Sequence, residues 1–578
     1  MGVRPIIFES AGKRTTHVIP GVYSRSASIK GKGDGVSAGN VAILGYATAG
    51  ESDVLREVSN LEEAKEEFKG GELLDAIAHF FTPAKGYVPQ SVFALRVGDV
   101  KHASCILKRD TTEVLKINLK EHGVGGNGVK IHFTYDEDHH TAKFYFVKSA
   151  DSNDTTQEMT VRNQFMQISY HGVSNNVQCI ITKDKLEIRA EGTPQESAEL
   201  PFDEYPTIGS LCANIDGINN FQAILIDGRK GSVPSNELDI GTISLPSRQE
   251  VGLYGNLYGI VRALTSVDLV GSVEVLSEGN VVPSDGQEVS FAGGQGHAGT
   301  VEEWIRAIKV LEKEDINIIT TPHQNEDIQN LIVGHCETMS SIENKKERTC
   351  ILGGGLNEGV EDSIKRAKML GNRLCSYTGT SIKTIDPLTG KIVILPASYF
   401  ACKLAGLESC LAVNQPLTNK VMSVLEFTNK YTATELKHLI LGGVLSGGKN
   451  DDGRLVVVRA ITTHEGDELQ DIERSMVREA IYMNRDLRHR LNVSIGKPAV
   501  SGSINDDLAT LHQASNDWFA SGLILKNDDG ELLWNITTRE DGDATFITFS
   551  RFLVAPRNFI FITVNNHVYT GSSVTVSI

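Results

Sequence analysis

Residues 288–322, EVSFAGGQGHAGTVEEWIRAIKVLEKEDINIITTP, decide how the rest of the chain is read. EVSFA leads through a glycine-rich loop into VEEWIRAIKVLEKE, which reads as a helix, and then into INIITTP, which reads as a buried strand. Strand, helix and strand in that order imply an α/β layer. Gly294-x-Gly296-x-x-Gly299 also fits the dinucleotide-binding spacing, in which a tight turn lets a phosphate approach a helix N-terminus. That use requires an acid at the end of the next strand to hold a ribose. Here the strand ends Thr320-Thr321-Pro322-His323, without one. The glycines are therefore read as turning the chain and letting the helix pack closely.

Outward from this unit the same pattern recurs. NVAILGYATAG (40–50) and SVFALRVG (91–98) read as buried strands flanking the helix LEEAKEEF. Downstream, ERTCILGG (347–354), DSIKRAKMLGNR and KIVILPASY continue it. Between the two halves, from about Asp110 to Ser235, the pattern turns period-2 and turn-rich, as in VKIHFTYDEDHHTAKFYFVK and VQCIITKDKLEIRAEG. This predicts an antiparallel β domain inserted into an α/β domain. From about Arg454 a third unit follows: a strand (RLVVVRAITTH), a long helix (ELQDIERSMVREAIYMNRDLRHRL), a second helix (NDDLATLHQASNDWFASG) and the strand candidates ELLWNITT, ATFITFSRFLVAP and NFIFITV. The expected fold class is thus multidomain α/β and α+β. Its divisions are an N-terminal arm at 1–24, α/β segments at 25–109 and 236–453 around a β insertion at 110–235, an α+β domain at 454–557 and a C-terminal arm at 558–578.

A chain of 578 residues leaves room for about four such domains. No apolar run approaches the roughly 18 residues of a membrane span, so no membrane insertion is expected. MGVRPIIFES shows no h-region and no small-residue cleavage site, so no signal peptide is expected. The net charge of −17 argues against direct nucleic-acid binding. Cys105, Cys179, Cys212, Cys336, Cys350, Cys375, Cys402 and Cys410 form no C-x-x-C pair and read as reduced, buried thiols made in a cytoplasm.

Several groups imitate catalytic or metal sites. AILIDGRKG, GHAGT and GTSIK look like faint subtilisin motifs around Asp227, His297 and Ser381. Each is broken, and Ser381 lacks the helix start that presents a nucleophile. Asp136-Glu137-Asp138-His139-His140 reads as a solvated hairpin turn. His464-Glu465-Gly466-Asp467-Glu468 reads as a helix start and Gly334-His335-Cys336 as a packed loop, since neither has partners at metal-ligand spacing. No catalytic residue, metal or cofactor is expected. The clearest physical pattern is Leu469, Ile472, Met476, Ala480, Met483, Leu487 and Leu491, one apolar stripe along a helix. Arg474, Arg478, Arg485, Arg488 and Arg490 fall mostly away from it. They suggest either a solvated face or an arginine surface for an acidic partner, where planar guanidiniums grip carboxylates in pairs.

Both chain ends pose one question. THVIPGVYSR (16–25) carries strand formers cut by Pro20-Gly21, with no obvious hairpin partner. NFIFITVNNHVYTGSSVTVSI (558–578) is β-branched and alternating throughout. An unpaired strand is an aggregation liability unless something covers it.

PGVY (20–23), GGQGHAGTVEEWIRAIKVLEKEDINIITTP (293–322), LPASYFACKLAG (395–406), RAITTH (459–464) and RDLRHRLNVSIGK (485–497) occur in an order that resembles the contractile tail sheath proteins of bacteriophages. The resemblance covers most of the chain outside the β insertion. It implies a middle domain of subtilisin-like fold without protease activity, which accounts for the broken triad motifs. It also implies terminal arms that add strands to neighbouring subunits: Val18, Ile19, Val22 and Tyr23 at one end, Phe559, Phe561, Val564, Val568, Val574 and Val576 at the other. Function would be that of a virion tail subunit, assembled in the host cytoplasm, that polymerises as stacked rings around a tail tube and contracts to drive the tube through the cell envelope. The implied partners are the chain itself, the tube protein, and baseplate and terminator proteins. The C-terminal domain would lie innermost, which makes Arg474, Arg478, Arg485 and Arg488 candidate tube contacts. The alternatives are the sheath of a phage-like bacteriocin or other contractile injection system and, from another class, a subtilisin-like hydrolase or nucleotide-binding enzyme.

Overall fold

The computed structural model describes residues 36–98, 100–148, 155–277, 279–296, 299–498 and 503–566, together with the strands Ile6–Ser10 and Lys13–His17. Its centre is a six-stranded sheet of β1 (Val41–Gly45), β2 (Leu55–Val58), β3 (Val92–Arg96), β4 (Ile318–Thr320), β5 (Thr349–Gly353) and β6 (Cys375–Thr378). The order across it is β6-β5-β4-β1-β3-β2. All neighbours run parallel except the edge strand β2. Strands of such a sheet are buried on both faces, so they read as continuous apolar runs. Alternate residues nonetheless feed different cores. Val41 and Ile43 pack under α1 (Leu61–Phe68), α2 (Glu72–Phe80) and the later helix Ala397–Ser409; Ala42 and Leu44 pack under α3 (Val301–Val310) and α4 (Glu326–Met339). Helix α5 (Val360–Leu370) completes that second face.

The quoted stretch forms as read at its centre. Thr300 caps α3 through a capping box with Glu303, and Trp304, Ala307 and Ile308 make its buried stripe. The three-residue β4 then enters the sheet between β1 and β5.

Between β3 and α3 the chain leaves this sheet and builds four antiparallel sheets from strands lying between Val100 and Gly296. These sheets therefore take in much of 236–296, which the sequence pattern assigned to the α/β part. They enclose two separate cores. One gathers Ile131, Phe133, Phe144 and Phe146 with Leu257, Ile260 and Leu264; the other gathers Ile168, Tyr170, Cys179 and Ile188 with Leu211 and Ile215. KIVILPASY also differs, because its strand Ile392–Leu395 lies in a small antiparallel sheet beside the central one.

Helix α6 (Ala397–Ser409) is buried along all of its length except Ser409. The C-terminal unit is built on α7 (Arg474–Leu491) and α8 (Ser503–Ala520), around Met483, Trp518 and Ile524. The long helix expected from 468 to 491 is interrupted. Glu473 is extended (φ −78°, ψ 116°) and separates the single turn Leu469–Ile472 from α7. The stripe is interrupted with it: Met476 and Met483 are buried while Leu469 is exposed.

Candidate functional site

Three groups of residues carry the functional reading: the chain ends, the arginines of α7 and the apparent catalytic motifs.

At the N-terminal end, Lys13–His17 pairs antiparallel with Ile6–Ser10, so the strand at residue 16 does have a hairpin partner. Val18, Ile19, Val22 and Tyr23 lie outside the described residues. At the other end, ELLWNITT and ATFITFSRF form the hairpin Trp534–Asp541 with Ala544–Ser550, and Phe552–Leu553 pairs with Ile524–Leu525. NFIFITV does not form a strand within this chain. Among the described residues no backbone hydrogen bond is made beyond Asn558, whose N–H donates to Pro556 O at 3.0 Å. Phe559, Ile560, Phe561, Ile562 and Val564 are 65% to 92% exposed. A continuous exposed apolar stretch of this kind marks a surface that meets another macromolecule. Val568, Val574 and Val576 lie outside the described residues.

The arginines are arranged differently from the expected free face. Arg474 is fully buried, its Nη2 donating to Glu408 Oε2 at 2.7 Å, to Thr349 Oγ1 at 3.1 Å, and its Nη1 to Cys350 O at 3.0 Å and Ser376 Oγ at 3.1 Å. Arg478 is buried beside the same carboxylate at 3.6 Å. Burial pushes the Glu408 carboxyl up, and the two guanidiniums outweigh it, holding it below the usual carboxylate range. A tube contact through Arg474 or Arg478 is thus corrected: both side chains are buried around Glu408, with Arg474 reaching into the central sheet, so neither stands on the surface of the chain. Arg485 pairs with Asp315 and Arg488 with Glu347, at 11% and 38% side-chain exposure. Arg490 bridges Asp486 and Asp517 across to α8.

Sequence reading missed Glu408 and Glu473. The signal for Glu408 was a single carboxylate in the apolar run LAGLESC; buried charge demands a buried counter-charge. Glu473 stops the helix before α7 and accepts from Arg459 Nη2 at 2.6 Å and Nε at 2.9 Å.

The catalytic motifs do not assemble. Ser381 is fully buried; its Oγ accepts from Asn357 N at 2.8 Å and donates to Gly355 O at 3.3 Å. Asp227 caps a short turn and pairs with Arg229 at 2.8 Å. His297 lies outside the described residues. A Cβ on Gly294 would sit 2.2 Å from Gly123 O, so this glycine is required by a close approach of two backbone segments. His139 pairs with Asp136 on an exposed turn at 2.8 Å. Buried His335 packs on Arg348, and burial, aided by that cation, lowers it to about 4. His464 lies 3.5 Å from Glu468. Among the described residues no group of three or more His, Cys, Asp or Glu could hold a metal ion, and no helix is long and apolar enough to cross a membrane.

Residues 298–463 match the phage tail sheath protein central domain. The chain is 24% identical over 520 residues to a tail sheath protein of Bacillus phage SP01, covering 86% of each chain. It is 23% identical to a tail sheath protein of Staphylococcus phage Twort, covering 73% of this chain and 76% of the other. The chain is thus similar in sequence to phage tail sheath proteins. In fold, the chain superposes on a sheath tail protein of Desulfitobacterium hafniense with a TM-score of 0.53, covering 92% of this chain and 100% of that one at 12% identity. A sheath tail protein of Listeria innocua gives 0.51, with 89% and 95% covered at 12% identity. The mixed α/β, many-sheeted architecture is therefore that of sheath proteins. The matched central-domain region includes α3, β4, α4, β5, α5, β6 and α6, which is the half of the sheet that returns after the antiparallel excursion.

Proposed function

We propose that this chain is the sheath subunit of a contractile phage tail. It polymerises helically as stacked rings around a tail tube, meets baseplate and terminator proteins at the ends, and contracts to drive the tube through the host envelope for genome ejection. Its place is the virion tail, with assembly in the host cytoplasm. The observation that carries this reading is the likeness to a phage tail sheath protein over 86% of both chains. The exposed apolar segment Phe559–Val564 supports it from the geometry, since its large side chains are 65% to 92% exposed in the single chain.

The arms link copies by strand addition, with residues 18–23 and 559–576 as donors. Strand addition uses main-chain hydrogen bonds and needs little sequence specificity. Such a contact is head-to-tail, so repetition yields rings and helices rather than a closed dimer. The hairpin Trp534–Asp541 with Ala544–Ser550 is a two-stranded sheet, marginal alone and suited to receive further strands. The middle domain is a subtilisin-like scaffold whose Ser381 serves packing. Work comes from the difference in inter-subunit contact energy between extended and contracted states, so no cofactor is needed. The C-terminal unit faces the tube. Of the four arginines first considered there, Arg488 keeps the most exposure.

Electron microscopy of the purified chain tests this reading. Tubes from the intact chain, and monomers or small rings from chains lacking 1–24 or 559–578, are expected. A monodisperse monomer in all three preparations would remove the main support for arm exchange.

A further inference from the structure

The two ends of the described body are held by one helix. On the N-terminal side, segment 36–40 leads into β1. Arg485, on α7, donates from Nη1 to Ser37 O at 3.2 Å and pairs through Nη2 with Asp315. Asn317 accepts from Ser37 Oγ at 2.7 Å and from Asn40 N at 2.9 Å, and Asn40 Nδ2 donates to Asp315 O at 2.7 Å. On the C-terminal side, Asn558 Nδ2 donates to Glu473 Oε1 at 2.9 Å, and the Arg459 guanidinium that grips the same oxygen lies 5.6 Å from the Phe559 ring centroid. Glu473 is the residue on which α7 starts.

The change along the C-terminal segment is sharp. Asn558 and Phe559 touch the body, and Phe561 is 92% exposed two residues later. Glu473 and Arg485 are twelve positions apart in sequence, about 18 Å along a helix at 1.5 Å per residue. The helix between them cannot tilt freely, because Arg474 and Arg478 fasten its first turns to Glu408, β5 and β6.

We propose that α7 is a strut that sets where both chain ends leave the body. Arg485 clamps the N-terminal root at Ser37, and the Arg459–Glu473 pair clamps the C-terminal root at Asn558 and Phe559. The partners so positioned are second copies of this chain. The proposal rests on the arm-exchange reading. If arms run to neighbours, the separation and direction of their roots enter directly into the rise and rotation between copies. These residues are positioning residues: they need not touch the neighbour to place it.

The test uses the full chain carrying Arg485→Gln or Asn558→Ala. Asp315 is half exposed, so losing Arg485 strands no buried charge there. Asn558 sits on the outgoing segment, so its truncation leaves the body intact. Circular dichroism of each variant should match the parent. Hydrogen exchange should quicken about tenfold at the Asn40 amide in the first variant and at the residue-558 amide in the second, the size expected for losing one charge-assisted hydrogen bond. Tubes should still form, with a spread of twist and rise that the parent lacks. Unchanged exchange at the roots would show that there is no clamp. Faster exchange with unchanged twist and rise would show that the clamps do not set the geometry. Tubes that persist after removal of 1–24 and 559–578 would instead overturn arm exchange, while the exchange rates at the roots would still report on the clamps.

Discussion

Helix α6 and the segment Phe559–Val564 are both rich in apolar residues, and they meet opposite fates. Along α6 every residue but Ser409 is buried, wedged between the central sheet and α2, and its two charges are answered: Lys403 Nζ donates to Thr82 O at 2.6 Å and Glu408 receives Arg474. Along 559–564 the large side chains stand in water and the backbone has no described partner. Hydrophobic pattern alone does not distinguish a stretch completed by its own chain from one completed by another. The difference lies in whether polar exceptions find their counterparts. The two charges of α6 do, Glu408 at Arg474 of α7 and Lys403 at Thr82 just beyond α2; the terminal segment carries no charge, so its apolar area and its backbone ask for a partner.

The strongest way to break this comparison is to remove a counterpart from the buried side. Arg474→Met leaves Glu408 with only the more distant Arg478, and destabilisation of about 3–5 kcal/mol is expected by chemical denaturation. Truncation after Asn558 attacks the other side. It should leave the denaturation curve of the body where it was while abolishing tubes, because the described residues it removes, 559–566, are all exposed. Gly294→Ala drives a Cβ into the Gly123 carbonyl and should cost about 1–3 kcal/mol; bound nucleotide would have no part in that loss.

The smallest effect sharpens the comparison by pH. Burial raises Glu479, on α7, to about 8, offset only in part by the Val554 N–H and Arg478. A carboxyl raised from 4.5 favours folding fully below pH 4.5 and loses that contribution as pH climbs through about 8. Stability of the C-terminal unit should therefore fall between pH 5 and pH 9 by this route, and Glu479→Gln should flatten that slope. A profile identical in parent and variant would contradict the assignment.

Much of the fold was legible because apolar strands buried on two faces and period-2 strands buried on one leave different patterns. β1, β3 and β5 fall inside the stretches read as buried strands, and the hairpin at 130–147 alternates as expected. Legibility failed where tertiary partners override local pattern. Glu473 breaks a helix whose stripe runs through it, because Arg459 holds its carboxylate outside the helix. Arg474 and Arg478 looked solvated on a helical wheel and are buried, because Glu408, far away in sequence, lies against them. The second core of the antiparallel region was invisible for the same reason: alternation says that a face is covered, not by which sheet. Of the candidate interaction residues, Phe559, Phe561 and Val564 could be picked out from β-branched and aromatic alternation alone.

The central claim is that segment 559–566 is completed by another copy. A photo-reactive phenylalanine at Phe561, in an equal mixture of isotopically light and heavy chains, tests it most directly. The account predicts that half of the cross-linked peptide pairs join light to heavy chain, and that these links vanish when assembly is blocked. Cross-links found only within single chains would contradict it.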